Sequence, residues 1–229
     1  MSVDRLAGPR EAGTQPSDAR LRSRPVTVGA RMAWLYLVSR RVPAAVAVIA
    51  GCAAGLRIAL IAPWDAYGAL QLPLVFETVA ATAVVACSAS PFGEPERVAG
   101  RHLPWLRLAN ALALSVVAAG AVAAAGAGAH LSGGTLDVLR NVLGIVGLGL
   151  ICAAAAGASA AWAGPASYLV AGVYALYTQW HGPALTTPWI WPARPTHDIG
   201  AALCAGLVFV AGTVLVTIRG GRDRSGQHG

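Results

Sequence analysis

Residues 141–180 read NVLGIVGLGLICAAAAGASAAWAGPASYLVAGVYALYTQW, a run of forty residues without one formal charge. A helix that crosses a membrane needs about 20 apolar residues at about 1.5 Å of rise per residue, so this run is twice the required length. Gly157, Ser159, Gly164 and Pro165 interrupt its middle. Two membrane-spanning helices joined by a tight turn therefore fit the run better than one long helix.

The rest of the chain has the same character. Of its 229 residues, 56% are hydrophobic and 12% are charged, about half the charged share of a soluble domain, where about 25% is typical. The apolar residues fall into blocks near spanning length and leave too little polar sequence for a second soluble domain. We predict an all-α, polytopic membrane protein with six transmembrane helices, over residues 42–62, 72–90, 106–127, 138–158, 163–180 and 199–218.

The arginines test this number of spans independently. Eight precede the first predicted span, three lie in or beside the loop after the second, and three follow the sixth. These fourteen share one side of the membrane only if the number of spans is even, and the positive-inside rule makes that side the cytoplasm. We therefore expect a multi-pass protein of the plasma (inner) membrane of a bacterium, with both termini cytoplasmic. The other three arginines fall near the opposite face with an aromatic belt of Trp64, Trp180, Trp189 and Trp191.

The segments outside the spans also have distinct compositions. Residues 1–26 are polar and poor in large apolar side chains, which predicts a disordered cytoplasmic tail. In residues 27–41, Val28, Met32 and Leu35 recur at helical spacing with arginines beside them, which predicts an amphipathic helix in the headgroup region. The transmembrane domain then covers residues 42–218, and residues 219–229 form a second cytoplasmic tail.

Composition argues against several functions. All seventeen basic residues are arginine, so the chain has neither a Walker A lysine nor a Schiff-base lysine, and we do not expect an enzyme. The basic residues do not line an aromatic-studded polar surface, which argues against nucleic acid. The cysteines lie far apart inside apolar blocks, so we expect free thiols, no metal site and no cofactor; they are Cys52, Cys87, Cys152 and Cys204.

Other local sequence patterns are disfavoured as functional sites. Residues 49–52 resemble a lipoprotein cleavage box, but the chain stays largely apolar after Cys52, so an ordinary transmembrane thiol is expected there. Ser159 resembles a protease serine, but the sixth span contains no histidine to act as its base. His181 and His197 lack metal-ligand spacing, and His102 lies across the membrane from His130, which excludes a haem pair.

Two groups of polar residues deserve more weight. In the loop after the second span, Pro95 suits the first position of a short helix, with acidic residues at its N-terminal end and Gly100 as its stop. This segment is either a simple connection or a docking surface for a soluble partner. Inside the spans, Arg57 and Glu77 lie about five residues from the predicted external ends, and we predict that they form an ion pair in preference to a proton or substrate site.

Near the predicted external face, Asp137 and Arg140 are expected to extend their charged ends to the membrane boundary. The segment 181–198 carries two tryptophans and four prolines, which predicts a structured cap in the interface region.

Taken together, these features resemble the membrane subunit of ABC type-2 exporters. The shared features are an arginine-rich tail, an interfacial helix before the first span, six spans with both ends inside, a cytoplasmic helix after the second span, and an aromatic-rich insertion before the sixth. The resemblance covers nearly the whole chain and is one of architecture. It implies a permease subunit that pairs with a second permease subunit, in a homo- or heterodimer, and with a soluble ABC ATPase subunit.

The resemblance also implies roles for named residues. Glu94, Pro95, Glu96, Arg97 and Arg101 would form the helix that couples to the ATPase, and Arg31, Trp34 and Arg40 would belong to the interfacial helix beside it. Small residues would let the spans approach and slide, among them Gly120, Gly126, Gly144, Gly147 and Gly149.

Two other functions stay open. The first is a non-transporting six-span scaffold or assembly subunit that binds other membrane proteins through small-residue faces. The second is a secondary transporter, which is disfavoured because Glu77 is the only acidic residue well inside a predicted span.

Overall fold

The computed structural model describes residues 37–38, 41–62, 66–88, 103–128, 134–178 and 187–219. Within these ranges the chain is all-helical and contains no strand, as predicted. Two short 3-10 turns, Ala158–Ala160 and Trp191–Ala193, interrupt the connections. The long helices of the described ranges are α1 (Val42–Ala59), α2 (Ala66–Ser88), α3 (Leu103–Gly126), α4 (Gly134–Ala156), α5 (Ala163–Thr178) and α6 (Ile199–Arg219).

Five of these helices are long and apolar enough to cross a membrane: α1, α2, α3, α4 and α6. The predicted fifth span is the exception, because α5 has 16 residues. The described range ends with this helix at residue 178, two residues before the end of the predicted span. The chain is thus a multi-pass membrane protein by the character of its helices, with five candidate spans in its described part.

The charge-free run of residues 141–180 forms two helices, as predicted. The first, α4, ends at Ala156, and Gly157 follows with a φ of 97°, a conformation that favours glycine. The 3-10 turn then leads into α5. At the start of α5, a Cβ on Gly164 would lie 2.8 Å from Cys152 Sγ and 3.0 Å from the Leu148 carbonyl oxygen. Glycine therefore allows α5 to turn back directly against α4.

Helix α4 is the centre of the bundle. It packs against α2, α3, α5 and α6, and most of its span is buried, whereas most of α1 and α6 is not. A helix that is apolar on all sides is expected to be buried in this way. Its buried core side chains include Val142, Ile145, Val146 and Leu150.

Two contacts show that α2 runs in the opposite direction to α1 and α3. Cys87 at the end of α2 donates to the Arg41 carbonyl oxygen before α1 (3.3 Å). Arg57 near the end of α1 donates to the Ala127 carbonyl oxygen after α3 (2.9 Å). The starts of α1 and α3 and the end of α2 therefore lie at one end of the bundle, and the ends of α1 and α3 lie at the other.

The closest helix approach is between α4 and α6. A Cβ on Gly147 would lie 2.6 Å from the backbone nitrogen of Phe209, and one on Gly212 would lie 2.5 Å from the Gly147 carbonyl oxygen. Gly144 and Gly149 also meet neighbouring side chains closely, as expected of small residues at helix crossings. Gly120 was predicted to allow a similar approach, but a Cβ added there would meet nothing within 4 Å.

The outer faces of the bundle are apolar. Large exposed side chains follow one face of α6 at spacings of three and four residues: Ile199, Leu203, Leu207, Val210, Val214 and Ile218. Exposed apolar area of this extent is unusual for a soluble monomer and suits contact with lipid chains or other membrane helices.

Several predicted features lie outside the described residues. They are the tails, the coupling residues Glu94, Pro95, Glu96, Arg97 and Arg101, and the interfacial residues Arg31, Trp34 and Arg40.

Candidate functional site

A buried polar cluster lies where α4 begins. Arg140 is only 6% exposed, and its Nη2 lies 2.9 Å from Asp137 Oδ1, one helical turn earlier. Its Nη1 and Nη2 also donate to the carbonyl oxygens of Pro195 (2.9 Å) and Arg194 (3.2 Å). Arg140 was expected to extend its charged end to the membrane boundary, and in the structure backbone carbonyls from the segment before α6 cover it.

That segment, residues 187–198, is here called the strap. Besides the two carbonyl contacts with Arg140, Thr196 Oγ1 donates to Asp137 Oδ2 (3.2 Å). One carboxylate and one guanidinium on adjacent turns of α4 therefore fix the C-terminal half of the strap. Breaking a buried, multiply bonded ion pair by removing one partner is costly, so these contacts define the position of the strap strongly.

An aromatic pair holds the other half of the strap. Trp191 is 2% exposed and stacks on Tyr168 of α5 with ring centroids 4.4 Å apart. The Tyr168 hydroxyl donates to the Trp189 carbonyl oxygen (3.0 Å). A Cβ on Gly144 would lie 2.5 Å from Trp191 Cζ2, so the ring needs glycine at that position of α4. The described part of the predicted cap, residues 187–198, is folded against the helices, and Trp191 inserts among them.

The strap ends in a helix cap. Asp198 Oδ1 accepts hydrogen bonds from the backbone amides of Gly200 (2.8 Å) and Ala201 (3.2 Å) at the start of α6. Its Oδ2 accepts from Arg194. The Arg194 hydrogen bond holds the pKa of the Asp198 carboxyl below its ordinary value, with help from the amides. The cap therefore contributes stability above the ordinary pKa of about 3.9, and the contribution is lost only as the pH falls through the lowered pKa.

Arg57 and Glu77, which were predicted to pair, contact other groups. Arg57 Nη1 donates to the carbonyl oxygens of Ala127 (2.9 Å) and Ala125 (3.4 Å), where the negative end of the α3 dipole favours a cation. Glu77 lies beside the side chain of Asn141 in α4. The two differ in depth: α2 begins at Ala66, so Glu77 lies at its midpoint, whereas Arg57 is two residues from the end of α1.

The cluster of Glu77, Asp137, Arg140 and Asn141 is thus the main polar feature of the described bundle, and the sequence identified only Glu77 as deeply placed. A signal was present, because an Asp-x-x-Arg-Asn run stands at the start of an otherwise apolar helix, and residues three apart share a helix face. Chemically, the cluster can hold the strap, pair charges and bind a proton.

Comparison of the chain with protein-family models, curated proteins and solved structures finds no significant match.

Proposed function

We propose that this chain is the permease subunit of an ATP-driven exporter of the ABC type-2 class, a membrane subunit that lines the substrate pathway and couples to a separate ATPase. The observation that carries this proposal is the strap, a folded insertion directly before the last helix, tied by Arg140 into the centre of the bundle. The polar loop after α2 begins at the opposite end of the bundle, where Cys87 at the end of α2 contacts Arg41 before α1. This division suits a protein that receives force at one face and controls passage at the other.

In the proposed mechanism, the ATPase binds the segment 94–101, with Glu94, Pro95, Glu96, Arg97 and Arg101 as the coupling residues. By the resemblance, Arg31, Trp34 and Arg40 would belong to an interfacial helix beside the ATPase. Closure of the ATPase pushes on α2 and α3, which this loop joins, and the helices move as rigid units. The tight α4–α6 contact at Gly147 and Gly212 keeps the strap and the last helix moving together.

The remaining elements of the proposal concern location and partners. The protein lies in the plasma (inner) membrane of a bacterium, with both termini cytoplasmic, in line with its arginine distribution. A second permease subunit completes the pathway, and the exposed apolar faces of α1 and α6 are available to bind it or lipid.

Charge reversal in the coupling segment tests the proposal. For Glu94→Arg with Glu96→Arg, we expect the amount of soluble ATPase that co-purifies with the full chain to fall about tenfold or more, because opposing charges become like charges at the interface. The matched control is Asp4→Arg with Asp18→Arg, which makes the same charge change in the N-terminal tail. Co-purification is measured from a detergent-solubilised membrane of the source cell, and recovery of the wild-type chain without any ATPase would contradict the proposal.

A second candidate, a membrane scaffold or assembly subunit, is favoured by one observation. A Cβ added at Gly51 on α1 or at Gly206 on α6 would meet nothing within 4 Å, so both weakly buried helices present small residues that another membrane helix could approach. The same purification separates the two functions, since a scaffold would retain integral membrane partners and no ATPase.

A further inference from the structure

The carboxyl group of Glu77 in α2 has one buried oxygen without a hydrogen-bond partner. Glu77 is 1% exposed and lies at the midpoint of α2, about 16 Å from either helix end at about 1.5 Å per residue. Its side chain lies beside that of Asn141 in α4. Its second oxygen, Oε2, is buried without a hydrogen-bond partner, and an unsatisfied buried polar atom of this kind is rare and costly.

The side chain of Asn141 in α4 also has a buried polar atom without a hydrogen-bond partner. Asn141 is 7% exposed, and its Oδ1 is also buried without a hydrogen-bond partner. The two unsatisfied atoms are both acceptors, and they belong to neighbouring side chains of α2 and α4. A single hydrogen on Glu77 Oε2, donated to Asn141 Oδ1, would satisfy both.

The surrounding charges favour a proton on the Glu77 carboxyl group. On α4, Asp137 and Arg140 pair with each other (2.9 Å), and Arg140 also binds two strap carbonyls. On α1, Arg57 binds carbonyl oxygens at the end of α3.

The remaining titratable or charged groups described on the helices that pack against α2 are Cys52, Arg107 in the first turns of α3, Cys152, Tyr168, Tyr174 and Tyr177. The charges that neighbour Glu77 are those of Asp137 and Arg140. An ionised Glu77 would therefore add an uncompensated negative charge beside Asp137 in the membrane interior.

We propose that Glu77 and Asn141 form a proton-binding site that joins α2 to α4. The neutral acid donates from Oε2 to Asn141 Oδ1, and Asn141 Nδ2 donates to Oε1, which gives a two-point acid–amide pair between the helices. The proton comes from water. Its loss leaves two acceptors facing each other and a buried charge, so α2 and α4 separate when the site is deprotonated. The site is independent of the identity of any partner subunit.

Infrared spectroscopy of the full chain in a maltoside detergent, which has no carbonyl group, tests this proposal. At pH 7 we expect a carbonyl absorption of a protonated carboxylic acid that shifts in D2O, is absent from Glu77→Gln and persists in Asp137→Asn. The glutamine variant keeps a two-point pair, since an amide can also donate and accept. Absence of this absorption from the wild-type chain, or its persistence in Glu77→Gln, would overturn the proposal.

The pH dependence of the free energy of unfolding gives a second test. The wild-type chain alone shows whether this free energy rises or falls with pH. The folded chain holds a proton that the unfolded chain releases at neutral pH, so the free energy of unfolding should fall as the pH rises from 6 to 9. The acid absorption of the wild-type chain should fade over the same range, and Glu77→Gln should lose this part of the pH dependence. If a sodium ion occupied the site instead, replacing choline chloride by sodium chloride at constant pH would raise the unfolding midpoint of the wild-type chain, and the acid absorption would be missing.

Discussion

Replacement of Arg140 by leucine is expected to lower the free energy of unfolding by about 3–5 kcal/mol. The side chain is buried, so its loss leaves Asp137 charged without its guanidinium partner and two strap carbonyls without their donor. Reversible unfolding in mixed micelles with increasing SDS measures the effect. The control is Arg219→Leu, the same change at an exposed arginine in the last turn of α6, for which we expect a change within about 0.5 kcal/mol.

A second variant separates lost pairing from lost packing. Asp137→Asn combined with Arg140→Leu removes the unpaired charge, so the double variant should recover part of the loss, with a coupling energy of about 0.5–3 kcal/mol. Equal stability of Arg140→Leu and Arg219→Leu would show that the strap is not fixed by this ion pair.

The contrast between Arg140 and the helix turns shows what the sequence could predict. Gly157, Gly164 and Pro165 interrupt a charge-free run, and those signals were sufficient to predict two helices joined by a turn. Turn chemistry is local, so it can be recognised from neighbouring residues. The burial of Arg140 depends on carbonyl oxygens of residues 194 and 195, more than fifty positions away, and no local pattern specifies that contact.

The position of Glu77 illustrates a second limit. Its predicted depth rested on a helix start at residue 72, whereas α2 begins at Ala66 and contains Pro73. Proline near the start of a helix is tolerated in membranes, where neighbouring groups compensate for the missing amide. The six-residue difference moves Glu77 to the middle of α2, and contact with α4 then makes Asn141 its partner in place of Arg57.

At the α4–α6 crossing, Gly212→Ala is expected to destabilise the bundle by about 1–3 kcal/mol. The added Cβ would lie 2.5 Å from the Gly147 carbonyl oxygen, a backbone atom that can move only if the whole helix shifts. The matched control on the same helix is Gly206→Ala, where a Cβ meets nothing within 4 Å. Alanine is the better helix former, so the control should be neutral or more stable by up to about 1 kcal/mol.

Unfolding in mixed micelles measures both variants under the same conditions. The two changes have the same chemistry and occupy the same helix, so opposite signs would isolate the close approach as the cause. A Gly212→Ala variant as stable as Gly206→Ala would mean that α4 and α6 do not meet at this distance.

The most direct test of the central claim, an even number of crossings with the strap on the face opposite both termini, is labelling of single cysteines by a membrane-impermeant maleimide in intact and lysed cells. The background carries alanine at Cys52, Cys87, Cys152 and Cys204, and the reporters are Ser2→Cys, Pro188→Cys in the strap and Ser225→Cys. We predict labelling of the strap reporter in intact cells and of both terminal reporters only after lysis. Labelling of the two terminal reporters from different faces of the membrane would contradict the claim.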